Sequence, residues 1–384
     1  MKIVFLSHET EGVTGFPSAF ADYLKLKNAK LVYIKFPFFM STKKEISVEY
    51  YKGERLINQE KSSIRFYRPE LLSYLKDVLW LLIWGRSHVR GADFVLASNN
   101  LLGFVAYLFR KWGLIKRFSY LVVDYSPTRF GNPLAEWLYR KLDSFVATRA
   151  DSVWTMSLEM LKGREADGRF RLTDVNYRLA PMGNNSAQIF ANGPVPNDPK
   201  QLVFIGNANA KNVRADFLLH VVQELKRRGH DFHLHFFGPG DTTRLKQAVR
   251  EGRIDNLVRF HGLIPDSLDL ERRLSLCGIG LAPYDPNLKD NFSQYADPSK
   301  IKVYLGCGLP VITTSVPPIA RDLEEQKAGM IADLTPTEFA EKIEFLWGRP
   351  DIYQQYRENA QKLGETFYWP RIFDRLIHEE KIAV

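Results

Sequence analysis

The alternation of apolar and polar positions divides the chain into short buried runs and longer amphipathic ones. In the first half, strand-like runs are predicted at 2–7, 29–35, 94–98, 120–123 and 152–155. Helical periodicity separates them at 71–84, 101–111 and 134–147. The second half repeats the plan, with strands expected at 202–206, 233–237, 258–261, 278–282, 310–313 and 329–332. Its helices are expected at 215–228, 241–251, 267–276, 298–306, 319–325 and 336–347. Strand, helix, strand in repetition predicts parallel sheets covered on both faces.

Between the halves, Pro181-Met182-Gly183-Asn184-Asn185 and a polar, Pro-rich run to Lys200 lack periodicity and read as a linker. The fold class expected is α/β, with two Rossmann-like parallel-sheet domains facing a cleft. The domains are expected at 1–183 and 184–366, with a terminal helix in 367–384 crossing back to the first. Ligands bind such sheets at the carboxyl ends of their strands.

Composition narrows the class. A chain of 384 residues that is 45% apolar can build two cores. Its two cysteines, Cys277 and Cys307, sit among small apolar residues and form neither a disulfide framework nor a zinc spacing. The first apolar run is too short for a signal-peptide core, and no stretch of about 18 apolar residues occurs. A cytoplasmic protein is expected. The net charge of +9 is uneven: residues 1–185 hold 28 Lys and Arg against 18 Asp and Glu, a net of +10. A basic first half implies an anionic partner. Nucleic acid would fit, but no recognition motif accompanies the charge. An anionic membrane surface fits three segments that set aromatics beside cations. These are Phe36-Pro37-Phe38-Phe39-Met40 before Lys43-Lys44, Trp80–Trp84 before Arg86 and Arg90, and Phe109-Arg110-Lys111-Trp112. The same pattern also suits core helices with solvated ends.

The segment 297–314 carries the chemistry. Asp297 suits an N-cap and Pro298 the first helical position, so a helix should begin there. Its free N–H groups would form an anion site, to which Ser299 adds a hydroxyl and Lys300 a cation. Gly306 and Gly308 should end the helix before a buried strand.

The segment resembles the GT-B glycosyltransferases, matching their pattern at Pro298, Lys300, Tyr304, Leu305, Gly308, Pro310, Val311 and Ile312. Gly278 to Tyr284, Phe260-His261-Gly262, Phe237 to Gly240 and Phe204 to Asn207 are similar to the family's strand ends, and Ala150 to Ser157 to its first-domain strand. The resemblance implies a nucleotide-sugar donor, such as a UDP- or GDP-sugar, as substrate, with no separate cofactor. It implies a donor site drawn from Gly15, Asn207, Lys211, Gly238, Leu263, Tyr284, Pro298, Ser299 and Lys302. Two positions depart from the pattern. Val303 stands where a ribose-binding glutamate is common, and Asn207 where an arginine is common, with Lys211 four residues on. The pattern is closer to the branch of the xanthan glucuronosyltransferase.

Glycosyl transfer requires a stabilised leaving diphosphate and a positioned acceptor hydroxyl. Lys300 is the catalytic candidate for the first task. No Asp-x-Asp occurs, so side-chain cations in place of a metal are expected. Asp124, at the end of an apolar run, is the candidate base. Tyr125, Arg129 and His8 are the acceptor-side candidates, and the glycines of Gly12-Val13-Thr14-Gly15 would let phosphates approach. His233 and His235 share a strand face, but nothing beside them completes a metal set. The expected function is transfer of a sugar from a nucleotide-diphosphate sugar to a glycan or lipid-linked acceptor, in cell-surface polysaccharide or glycolipid synthesis. The alternatives are an inactive nucleotide-sugar binding protein and a nucleotide-sugar epimerase on the same fold.

Overall fold

The computed structural model describes residues 1–9, 15–38, 45–62, 70–193, 195–289 and 291–383; side chains 70, 71 and 192 are not described. Gly12, Val13, Thr14, Phe39, Met40, Lys43 and Lys44 therefore lie outside the described residues. The chain forms two compact units, Met1–Pro181 with Ile372–Val384, and Met182–Arg371.

The first unit contains β1 (Lys2–Glu9), α1 (Phe16–Leu26), β2 (Lys30–Pro37), β3 (Ser47–Lys52) and β4 (Arg55–Lys61). Next come α2 (Glu70–Trp80), a π-helical turn (Leu81–Gly85), α3 (Arg86–Val89), β5 (Phe94–Ala97), α4 (Asn100–Lys111) and β6 (Phe118–Val122). The unit continues through α5 (Pro133–Ala147), β7 (Ser152–Thr155), α6 (Leu158–Ala166) and β8 (Tyr177–Leu179). The eight strands order as β4-β3-β2-β1-β5-β6-β7-β8. Only β2–β3 and β3–β4 pair antiparallel. The central strand β1 is a continuous apolar run because both its faces are covered: Ile3, Val4, Phe5 and Leu6 are all buried. The β3–β4 hairpin escaped the sequence reading for the opposite reason. Every residue of β4 is exposed, so no face imposes alternation on it.

The second unit contains β9 (Gln201–Ile205), α7 (Phe217–Arg227), β10 (His233–Phe237), α8 (Thr243–Glu251), β11 (Val258–Gly262), α9 (Ser267–Leu274) and β12 (Ile279–Ala282). There follow α10 (Ser299–Gly306), β13 (Val311–Thr313), α11 (Ala320–Glu325), β14 (Gly329–Ile331), α12 (Pro336–Trp347), α13 (Pro350–Glu365) and α14 (Trp369–Glu379). Its six strands are parallel, in the order β11-β10-β9-β12-β13-β14. The order reverses between β9 and β12, and in the first sheet between β1 and β5. At such a switch point the loops diverge and leave room for a ligand.

The stretch after Pro181, where the linker was expected, is held by hydrogen bonds. Asn184 accepts from Trp369 N–H at 3.1 Å and donates its backbone N–H to Phe367 at 2.9 Å. Its side-chain amide donates to the carbonyls of Lys302 and Gly364. Gly364 lets α13 lie against α10: a Cβ there would stand 2.5 Å from Gly306 N and Leu305 O. Helix α14 begins in the second unit and ends in the first, where Phe373 packs on Phe16, Phe20 and Tyr23.

Candidate functional site

The second unit's switch point is built by three strand ends on one side and one helix on the other. Gly206 N–H donates to Phe237 O at 2.9 Å, Ala208 N–H to Pro239 O at 3.0 Å, and Gly238 N–H to Gly262 O at 2.9 Å. These bonds draw the loops after β9, β10 and β11 together. Gly238 makes the closure sterically feasible: its φ is +139°, and a Cβ would stand 2.1 Å from Gly206 O. Across the switch point, Arg214 N–H donates to Pro283 O and Asp285 N–H to Asn212 O, and Val213 bridges Tyr284. Tyr304, fully buried on α10, accepts from Ile205 N–H at 2.6 Å and donates to Leu281 O at 3.3 Å. It ties the ends of β9 and β12 to the helix that follows.

Lys300 occupies the first turn of α10. Its Nζ lies 4.8 Å from the centre of the Phe204 ring and 5.5 Å from that of Tyr284. A Cβ on Gly206 would stand 3.0 Å from it. The ammonium thus sits between β9 and β12 with no hydrogen-bond or ion-pair partner among the described residues. Burial beside the rings pushes Lys300 down to about 7. A cation so placed is able to receive an anion. Ser299 is exposed beside it.

Three expectations for this segment need correction. Pro298, not Asp297, is the N-cap residue of α10, and no side chain caps the helix. Asp297 instead accepts from Met182 N–H at 2.6 Å and pairs with Lys302 at 3.2 Å, with both side chains buried. Burial pushes the Asp297 carboxyl up and the Lys302 ammonium down, and each charge offsets part of the other's cost. Lys302, whose Nζ also lies 3.3 Å from the Phe367 ring centre, is therefore a core residue rather than a donor ligand. The sequence could not separate it from Lys300, because burial differs between adjacent helical faces.

The remaining donor-side candidates gather at the strand ends. Asn207 is exposed and its Oδ1 accepts from Asn209 N–H at 2.9 Å, shaping the loop after β9. Lys211 is exposed in the same loop, and Leu263 follows β11, 53% exposed. Tyr284 is buried and offers a ring face to Lys300. Phe204 and Gly206 were read only as strand; their signal was an aromatic two residues before a glycine at a strand end. Gly15, in the first unit, precedes α1, where an added Cβ would make only an ordinary contact with Pro17.

In the first unit, His8 sits at the β1/β5 switch point. Asn99 Oδ1 accepts from Leu102 N–H as the cap of α4, so its amide nitrogen faces His8 Nδ1 at 2.7 Å. The proton is thereby assigned to Nε2, which donates to Asp77 at 3.2 Å. Both ring nitrogens of His8, the acceptor-side candidate, are engaged within the first unit. Asp77, a lone carboxylate in an apolar helical run, was the overlooked signal. Asp124 follows β6, 58% exposed, and its Oδ2 accepts from Arg129 at 2.9 Å. Tyr125 is corrected: it is buried, its hydroxyl donates to Gly163 O at 2.9 Å and reaches Asp167 at 3.1 Å, and it belongs to the core.

Beneath Asp124 lies a buried charge network. Asp143 accepts from Tyr120 at 2.6 Å, Arg164 at 2.9 Å and Arg169 at 2.8 Å. Arg164 also donates to Asp124 O at 3.0 Å and so fixes the loop after β6. Burial alone would raise the Asp143 carboxyl; the two guanidiniums outweigh it and hold it below the usual range.

Among the described residues no three His, Cys, Asp or Glu side chains are grouped to hold a metal ion. His235 instead stacks on His261, which stacks on Phe237. Cys277 and Cys307 are buried and unbonded to one another. No helix of the described residues is long and apolar enough to cross a membrane.

Residues 199–349 match the family described as glycosyl transferases group 1. No curated protein sequence matches the chain. Among solved structures, sucrose-phosphate synthase from Thermosynechococcus elongatus superposes with a TM-score of 0.71 at 14% identity, covering 99% of this chain and 98% of that one. Anabaena HepE in complex with UDP and glucose gives 0.65 at 13%, with both chains covered completely. WaaG, a glycosyltransferase involved in lipopolysaccharide biosynthesis, gives 0.61 at 12%, again over both chains entirely. The chain has the GT-B fold, and the stretch that matches the glycosyl transferases group 1 model lies within its second unit.

Proposed function

We propose that the protein is a glycosyltransferase that moves a sugar from a nucleotide-diphosphate sugar to a glycan or lipid-linked acceptor, working on cell-surface polysaccharide or glycolipid. The observation that carries this reading is Lys300: an unpaired ammonium, shifted toward neutrality, at the N-terminus of α10 and the switch point of a parallel sheet. A diphosphate placed there meets Lys300, the free N–H groups of the first helical turn and the Ser299 hydroxyl. As the glycosidic bond breaks, negative charge grows on that diphosphate, and these groups stabilise it without the Asp-x-Asp clamp the sequence lacks. The group 1 domain and the UDP held by HepE support the same donor class. Asp124 is the proposed base and Arg129 an acceptor contact. The proposed setting is cytoplasmic, peripheral to an anionic inner membrane surface, which the lipopolysaccharide role of WaaG supports by analogy.

The donor reading is tested by thermal shift with UDP, GDP and dTDP and their sugars. At a hundredfold excess over Kd, a nucleotide that binds the folded chain stabilises it by about 2.7 kcal/mol. Failure of every diphosphate to raise the melting temperature overturns the donor site. The inactive-binder alternative, prompted by Val303 and Asn207, predicts stabilisation without turnover against a detergent extract of lipid acceptors. If Asp124 is the base, Asp124→Asn should lower kcat by roughly 10²-fold or more and leave donor KM unchanged. Retained kcat excludes it.

A further inference from the structure

The outer side of α2 and its π-helical continuation presents apolar side chains to solvent. Leu72, Leu75, Leu79, Ile83 and Trp84 are each 45–52% exposed. Their spacing places them in one stripe along the helix. The inner side is already satisfied: Ser73, Asp77, Trp80 and Leu81 are buried, Asp77 against His8 and Trp80 against Phe36. The stripe runs into Arg86 and Arg90, both exposed, and from Leu72 to Arg90 no carboxylate is exposed. A second stripe lies on α5, where Leu134, Trp137 and Leu138 are 53–65% exposed and exposed Lys141 follows one turn later. Helix α4 packs on both α2 and α5, and ends in exposed Lys111 and Trp112. Arg129, in the loop that carries Asp124, lies 5.6 Å from the centre of the Tyr139 ring on α5. The candidate acceptor loop therefore borders α5.

Clustered apolar side chains on a surface mark an interface. Charge selects the occupant. The first half carries a net of +10, and each stripe ends in cations. A second copy would set two positive faces together. An anionic bilayer accepts the leucines at the acyl boundary, the tryptophans at the headgroups, and the arginines and lysines at the phosphates. We propose that the α2–α5 face of the first unit docks on an anionic lipid bilayer. Of the aromatic–cation segments, Trp84, Arg86, Arg90, Lys111 and Trp112 are exposed, whereas Phe36, Trp80 and Phe109 are buried. The inference deepens the lipid-linked-acceptor reading, and its test is independent of the donor site.

The full chain is sedimented with vesicles of phosphatidylcholine, with and without phosphatidylglycerol. Wild type is expected to bind the mixed vesicles, with binding weakened several-fold at high salt as the cationic attraction is screened. Leu79→Glu/Ile83→Glu should lose roughly tenfold or more of that binding. Arg86→Glu/Arg90→Glu should lose the preference for anionic vesicles. Both variants alter exposed side chains and should keep the wild-type melting temperature and its shift by UDP. Vesicle binding without a UDP shift would sink the donor site and leave this surface standing. Absence of wild-type binding, equal binding by the Leu79→Glu/Ile83→Glu variant, or a dimer in sedimentation equilibrium that this variant dissociates would each overturn the proposal.

Discussion

Lys300→Ala is expected to lower kcat by about 10²–10³-fold, the typical consequence of removing one donor to a developing oxyanion. The melting temperature should hardly move, because the ammonium has no hydrogen bond or ion pair to lose and its burial is itself unfavourable. The same residue sets a pH dependence. In the free protein Lys300 titrates near 7, depressed by burial. A bound diphosphate favours the charged form and raises that value. Nucleotide affinity should therefore be intact below pH 7 and fall above it, by up to about tenfold per pH unit, until the complex itself deprotonates. Lys300→Arg stays charged throughout and should flatten the profile. Calorimetric titration of UDP from pH 6.5 to 9 reads this directly, and a flat wild-type profile would remove Lys300 from the phosphate.

Arg164→Ala should cost about 3–5 kcal/mol of first-unit stability, the usual effect of deleting one partner from a buried ion pair. Asp143 is fully buried and Arg164 only 1% exposed, so water cannot replace the lost guanidinium. Arg169 would remain beside Asp143 and keeps the loss from being larger. The variant also frees Asp124 O from its 3.0 Å hydrogen bond. A drop in kcat beyond the lost folded fraction is therefore expected. Urea denaturation followed by tryptophan fluorescence measures the first effect, with Trp154 buried in the same unit as reporter. A loss below about 1 kcal/mol would show that the network is solvated in solution.

The periodicity of the chain determined most of the second unit. Its inner strands β9, β12 and β13 were legible because they are buried on both faces, so pattern and burial coincide. It also determined the first unit's parallel strands β1, β2, β5, β6 and β7, though not β4, whose exposure removes any pattern. The phosphate-like segment could be found from Pro298, Ser299 and Lys300 alone, because helix starts have local chemistry.

What the sequence left undecided is which charges are free. Lys300 and Lys302 are two residues apart on α10, and only packing sends one to the switch point and the other to a buried pair with Asp297. Tyr125 and Asp124 are adjacent, yet one belongs to the core and the other to solvent. His8 looked available until Asp77 and Asn99, 69 and 91 residues away, engaged both its nitrogens. The outward stripe of α2 likewise suits a membrane face and a core helix alike until the structure shows which face is covered. Local pattern fixes where elements begin and end; whether a polar or apolar side chain has a partner depends on residues distant in the chain, and only the tertiary structure brings them together.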